Sequence, residues 1–218
     1  MNPSPARPLL ADRAYDSLKA ALQSGKYPPG SFLSERQLAR GLGMSKTPLK
    51  SALVRLEAEG FLRISPQQGI VVREPSVQEI VEIFDLREAV ETFVVQRIAG
   101  RLTPEQTAQL RTNVRDQDRA VKESRVADAT RLDTEFHAMV CGFLGNREIA
   151  QTLARMREKL HIHILRNLTL QPDRMAASYR EHAAIAAALI RGQGSRAAEL
   201  VRTHLDYGRN LVLGRSSG

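Results

Sequence analysis

Leu33-Ser34-Glu35-Arg36-Gln37-Leu38-Ala39-Arg40-Gly41-Leu42-Gly43-Met44-Ser45-Lys46-Thr47-Pro48-Leu49 is the stretch that decides how the first third of the chain folds. Ser34 is placed to cap a helix, with Gln37 three residues on to complete a capping box. Gly43 supplies the positive φ of a tight turn without steric penalty. Ser45 or Thr47 can cap the following helix, and Pro48 is tolerated because it falls in the first turn. Helix, glycine turn and helix make a helix-turn-helix, whose second helix presents its N-terminal side chains to base edges in the major groove. Ser45, Lys46, Thr47 and Lys50 lie off the Leu49/Leu53/Leu56 stripe, so hydrogen-bond donors furnish the outer face. Lys brings a point charge rather than the fork of Arg, which leaves phosphate contact and guanine contact both open.

Upstream, Tyr15, Leu18 and Leu22 make the apolar stripe of a preceding helix, and Leu38 and Leu42 serve the same purpose in the first helix of the motif. Downstream, Phe61-Leu62-Arg63-Ile64-Ser65 and Ile70-Val71-Val72-Arg73 read as two short strands around a Pro66-Gln67-Gln68-Gly69 turn. Three helices and a β-hairpin form a winged helix over residues 12–74. That segment is also the basic part of the chain. Residues 1–74 hold 11 Lys and Arg against 6 Asp and Glu, while residues 75–218 hold 21 against 18. A basic surplus concentrated in one module suits a polyanionic partner.

From Val77 the strand signals stop. Breakers at Gly100–Pro104, Lys122–Arg125, Gly145–Asn146, Gln171–Pro172 and Gly192–Ser195 delimit six amphipathic helices over 77–99, 104–121, 126–144, 147–168, 173–191 and 195–213. Short connections make them an antiparallel all-α bundle. Glu74-Pro75-Ser76 reads as the join, with residues 75–76 as a hinge and Ser76 as the cap of the next helix. Residues 1–11 read as a flexible arm and 214–218 as a tail. No apolar run approaches the ~20 residues that span a bilayer, and the N-terminus has no apolar signal core, so a cytoplasmic protein is expected. The single Cys141 rules out an internal disulfide framework and a cysteine zinc cluster.

Four polar residues fall on apolar faces of the bundle. Asp133 and His137 share a stripe with Val140 and Leu144; His182 shares one with Ile185 and Leu189; His204 shares one with Ala197, Val201, Gly208 and Leu211. One carboxylate and three imidazoles from three helices therefore point inward, and burying them unpaired is costly. A divalent cation satisfies all four, and this donor set suits zinc, nickel, iron, manganese or similar ions. Arg87 lies on the stripe of Ile80 and Phe84. It reads either as a clamp on an effector carboxylate or as an intrahelical partner of Glu91 or a dimer contact. His163 and Asn167, one turn apart, are placed to line the same cavity.

Residues 12–74 resemble the winged helix-turn-helix domain of GntR-family transcription regulators through Gly25-Lys26-Tyr27-Pro28-Pro29-Gly30, Leu33-Ser34-Glu35, Ser45-Lys46-Thr47-Pro48, Ala52-Leu53, Leu56 to Phe61, and Gly69. The resemblance implies a homodimer on double-stranded operator DNA, with Arg36, Lys46, Thr47 and Lys50 at the major groove and Gly69 at the minor groove. The family commonly carries Arg where Lys46 and Lys50 stand and a basic residue where Gln68 stands. Residues 77–213 resemble the FCD effector-binding domain of the FadR subfamily through Asp85 to Glu91, Asp133-Thr134-Glu135-Phe136-His137, Glu181 to Ile185, and His204. In metal-binding members an Asp and three His at these positions hold the ion, which implies Asp133, His137, His182 and His204 here.

The expectation is a regulator, a repressor by the habit of the family, controlled by a small organic acid beside a divalent metal. Arg87, His163 and Asn167 would contact that effector. Two competitors remain at this level: a metal-dependent hydrolase with the basic third as an accessory, and a regulator that senses the metal itself. The hydrolase lacks a placed base, because Glu135 and Glu181 are rotated away from their neighbouring ligands by about 100° per residue, and no hydrolase, P-loop or dinucleotide motif occurs.

Overall fold

The structure is a computed structural model that describes residues 9–65 and 69–214, with backbone alone for residues 158, 161, 162, 166, 167, 170 and 172. The wing turn at residues 66–68, the side chain of Asn167, residues 1–8 of the arm and the tail beyond Gly214 lie outside the described residues. The chain divides into two compact units between Pro75 and Ser76.

In the first unit, α1 (Leu10–Gln23) buries Ala14, Tyr15, Leu18 and Leu22, and it takes in Leu10 and Ala11, which pattern alone assigns to the arm. It packs on α3 (Lys46–Ala58) through the Leu49/Leu53/Leu56 stripe. Polar contacts tie the same pair together. The Arg55 guanidinium lies 3.6 Å from the Tyr15 ring centre, and the Tyr15 hydroxyl donates to Glu59 Oε2 at 2.6 Å. Between them in sequence comes α2 (Glu35–Leu42), whose N-terminus is capped when Ser34 Oγ accepts the Gln37 N–H at 3.1 Å. Gln37 does not reach back to the Ser34 backbone; its Oε1 takes the Ser34 hydroxyl hydrogen instead, so only half of the expected box forms. Gly43 ends α2 at φ 61°, the left-handed conformation that the turn requires.

The wing strands are β2 (Leu62–Ser65) and β3 (Gly69–Val72), and a two-residue strand, β1 (Phe32–Leu33), adds to the hairpin. The antiparallel sheet runs β1-β3-β2, with Leu33 and Ile64 both opposite Ile70. The extra strand is invisible to pattern reading because two residues show no alternation. Glu57 Oε1 accepts the Ile64 N–H at 2.6 Å, which anchors β2 to α3.

The second unit is all helical: α4 (Val77–Ile98), α5 (Pro104–Lys122), α6 (Val126–Gly142), α7 (Arg147–Leu170), α8 (Pro172–Ile190) and α9 (Gly194–Val212). Ser76 and Glu79 form a complete capping box on α4, as do Thr103 and Gln106 on α5. The most extensive pairing is α4 with α9. A Cβ at Gly208 would stand 2.8 Å from two atoms of the Phe84 ring, so the small residue sets how closely α9 approaches. The core of this unit includes Val94, Leu110, Phe136, Leu153, Leu160 and Leu189. No helix of the described residues is long and apolar enough to cross a membrane.

Candidate metal centre and nucleic-acid interface

Asp133 and His137 on α6, His182 on α8 and His204 on α9 converge, all four buried, with one ligand atom from each inside a 4.8 Å group. The three imidazole Nε2 atoms form a nearly equilateral triangle: His137 to His204 is 3.2 Å, and His182 stands 3.3 Å from each. Asp133 Oδ1 lies 3.7 Å from His182 Nε2 and accepts from Ser178 Oγ at 3.0 Å.

The outer nitrogens explain the inner ones. His137 Nδ1 lies 2.7 Å from Glu91 Oε2, His182 Nδ1 lies 2.9 Å from Gln117 Oε1, and His204 Nδ1 lies 2.6 Å from Glu181 Oε2. A carboxylate only accepts. Gln117 turns its oxygen to His182 because its own NH₂ donates to Asn113 Oδ1 at 2.7 Å. Each Nδ1 therefore carries the hydrogen, and in the neutral ring each Nε2 keeps its lone pair. Three lone pairs brought this close together could hold a cation between them. Spacings of 3.2–3.3 Å would let the three nitrogens share one ion at about 2.0–2.1 Å, and imidazoles held from behind by carboxylate or amide are the usual outer support of such an ion.

Electrostatics agrees. Burial, then His204 and His137, push the His182 imidazole well below its ordinary pKa. Burial also lowers that of His137 despite the Glu91 carboxylate beside it. Both rings favour the neutral, ligating form. Burial alone would raise Glu91, but Arg87 and His137 outweigh it and hold the carboxyl well below the usual range. Burial likewise works against Glu181, yet hydrogen bonds from His204 and Arg174 bring it down to about 2. Arg174 forks onto Glu181, Nη1 to Oε1 and Nη2 to Oε2, both at 2.6 Å. Phe136, itself buried, stacks on His182 with ring centres 4.2 Å apart.

Arg87 is 2% exposed and donates from Nε to Glu91 Oε1 at 2.7 Å, so the intrahelical pair forms; its Nη2 is also buried and has no partner among the described residues. His163 is half-buried on α7, has contacts of its own and stays outside the four-residue group.

Sequence reasoning misses Glu91, Gln117 and Glu181 as supports. Gln117 is within its reach, since it interrupts the buried run Leu110, Asn113, Gln117, Ala120 at helical spacing. Glu181 is indeed turned away from its neighbour His182, but it serves His204, which arrives from α9.

In the first unit, Arg36, Ser45, Lys46, Thr47, Lys50 and Gly69 are all exposed. Ser45 occupies the N-cap position of α3 without a side-chain cap bond, so its hydroxyl remains available. Arg36, Lys46 and Lys50 form no ion pair among the described residues, whereas Lys19 and Arg55 are paired with Glu59. Arg63 on β2 is exposed as well, a basic wing residue that strand alternation with buried Leu62 would have marked.

The family described as bacterial regulatory proteins, gntR family, matches residues 10–72, and the FCD domain matches residues 82–207. The chain belongs to the GntR family of transcriptional regulators and carries an FCD domain. The regulator is 30% identical over 187 residues to the Nta operon transcriptional regulator of Aminobacter aminovorans, covering 86% of this chain and 87% of that one. It is 30% identical over 112 residues to the HTH-type transcriptional repressor RspR of Escherichia coli, covering 51% and 49%. Its fold matches that of the solved E. coli McbR/YncC at a TM-score of 0.81, with 20% identity over 95% of this chain and 99% of that chain. The winged helix is thus a DNA-binding module and the FCD unit a small-molecule effector domain. The family and the relatives are transcriptional regulators, which sets aside the metal-dependent hydrolase.

Proposed function

We propose that the protein is a cytoplasmic, homodimeric repressor whose operator affinity is set by a small carboxylate bound beside a divalent metal, zinc, nickel or a similar ion, in the helical unit. The convergence of three proton-free Nε2 atoms is the observation that carries this reading. Asp133, His137, His182 and His204 would hold the ion, which supplies a Lewis-acidic point for an anionic ligand. Glu91, Gln117 and Glu181 fix the ring orientations from outside. Arg87 provides cationic N–H groups toward the ligand, with His163 and Asn167 as further contacts.

Arg36, Ser45, Lys46, Thr47 and Lys50 would meet the major groove and Gly69 the minor groove, with residues 12–74 as the reading head, 75–76 as a hinge and 77–213 as the sensor. The effector acts by binding one arrangement of the dimer's two heads more tightly than another, since only differential affinity moves such an equilibrium. The name of RspR, a repressor, supports repression.

Selecting operator duplexes from a random library with full-length protein, then titrating binding with metal and with carboxylic acids, tests the scheme. The result expected is a palindromic site whose affinity changes with acid only in the metal-loaded protein. Native protein should carry about one metal ion per chain, and the His137→Ala and His204→Ala variants should carry almost none. Equal metal in variants and parent removes these residues from the site. A response to metal alone, with no acid effect, makes the ion itself the signal.

A further inference from the structure

Leu49, Leu53 and Leu56 of α3 are buried, but Val54 on the same helix is 61% exposed. At about 100° per residue, the buried stripe of Leu49, Ala52, Leu53 and Leu56 lies opposite Thr47, Ser51 and Val54, with Lys50 at the edge of the same outer arc. All four outer residues are exposed. Val54 therefore stands in the middle of the face that carries Thr47 and Lys50, about two turns beyond Thr47. The fold gives no reason for it there. A β-branched side chain is a modest helix former, and at this exposure it removes little apolar surface from water. Its neighbour Arg55 is turned back onto Tyr15 and Glu59. Beyond Lys50 the outer arc continues through Ser51, Val54 and Ala58, none of them charged and all exposed. The reading face of α3 thus changes from basic to apolar along its length. Val54 has no hydrogen bond to offer a phosphate or a base edge, so its contact in the major groove is with apolar atoms. Thymine supplies them, since it alone of the four bases presents a methyl group there.

We propose that Val54 is a specificity-determining residue of the DNA interface, its isopropyl group packing on the 5-methyl group of one thymine in each operator half-site. This rests on the reading of Thr47 and Lys50 as major-groove residues and extends it from the first two turns of α3 to the third.

The test uses a duplex selected from a random library by the full-length protein. The duplex is then remade with deoxyuridine in place of one thymine at a time, which removes the methyl group and leaves base pairing intact. Binding by the parent should weaken about fourfold at a thymine in each half-site, the scale of one buried methyl group. In Val54→Ala the loss at that thymine should vanish, while the dependence of log affinity on log salt stays unchanged because no phosphate contact is altered. Taking the thymine-to-uracil ratio within each protein cancels any difference in active fraction. A second selection, with Val54→Ser, should return sites in which thymine is no longer preferred at that position. If the parent shows no methyl-sensitive thymine, or if every such thymine is equally sensitive in Val54→Ala, the contact is overturned and the major-groove reading of Thr47 and Lys50 stands. A library from which the parent retains no duplex removes both.

Discussion

The two units handle their charges in opposite ways. On the winged helix, Arg36, Lys46 and Lys50 stand exposed without ion pairs among the described residues, and the capping position of α3 leaves its hydroxyl unused. In the helical unit the chemistry is turned inward, and each imidazole is held by an acceptor on its outer nitrogen. An unpaired cation on a surface is inexpensive in water and ready for a polyanion. A buried ring must be fixed in tautomer and orientation before it can present a lone pair. The first region is built to meet something large from outside, the second to enclose something small.

The sharpest way to break this contrast lies in the outer support. Glu91→Gln removes a buried charge from His137 and from Arg87 together. Metal affinity, followed by competition with a chelator, should fall about 10–100-fold, while operator binding by metal-free protein stays unchanged. An unchanged affinity means that Glu91 is only an intrahelical partner.

Next in size is Gly208→Ala, which pushes a methyl into the Phe84 ring. Overpacking of this kind costs about 1–3 kcal/mol, and the thermal transition of the helical unit should drop while that of the winged helix does not. Equal shifts in both transitions would mean that the units do not unfold separately.

On the other side of the comparison, the Lys46→Ala, Lys50→Ala double variant should weaken operator binding and flatten the dependence of log affinity on log salt, by about 1 in slope for each phosphate that a lysine no longer neutralises. Metal content should not move. A smaller slope change with relaxed base preference would place these lysines on guanine edges instead.

The smallest effect belongs to Glu59→Gln, which leaves Tyr15 and Lys19 without their acceptor charge and should cost about 1 kcal/mol. Burial opposes ionisation of Glu59, but Tyr15 and Lys19 hold its carboxyl below the ordinary value of 4.5. Its stabilisation is therefore complete above that pH and is lost as the pH falls through the lowered value. The variant should lose less stability than the parent over that acid range, measured on the winged-helix transition.

Much of this architecture is legible in the sequence, and the reasons are local. Capping residues and breakers set helix limits within a turn, as at Ser76 and Thr103. The four inward polar residues are visible because each interrupts an apolar stripe at 3.6-residue spacing. What escapes detection depends on a neighbour from elsewhere in the chain. β1 exists only because β3 pairs with it, and Glu181 faces away from His182 yet meets His204, 23 residues on. The Nη2 of Arg87, without a partner among the described residues, is equally hidden, since spacing predicts the bond to Glu91 but not which donor is left over.

Anomalous scattering from a crystal of the native protein, collected on both sides of the absorption edge of its metal, tests the central claim most directly. The expected result is a single peak between His137, His182 and His204 Nε2 and Asp133. No peak there, or one elsewhere in the chain, would contradict it.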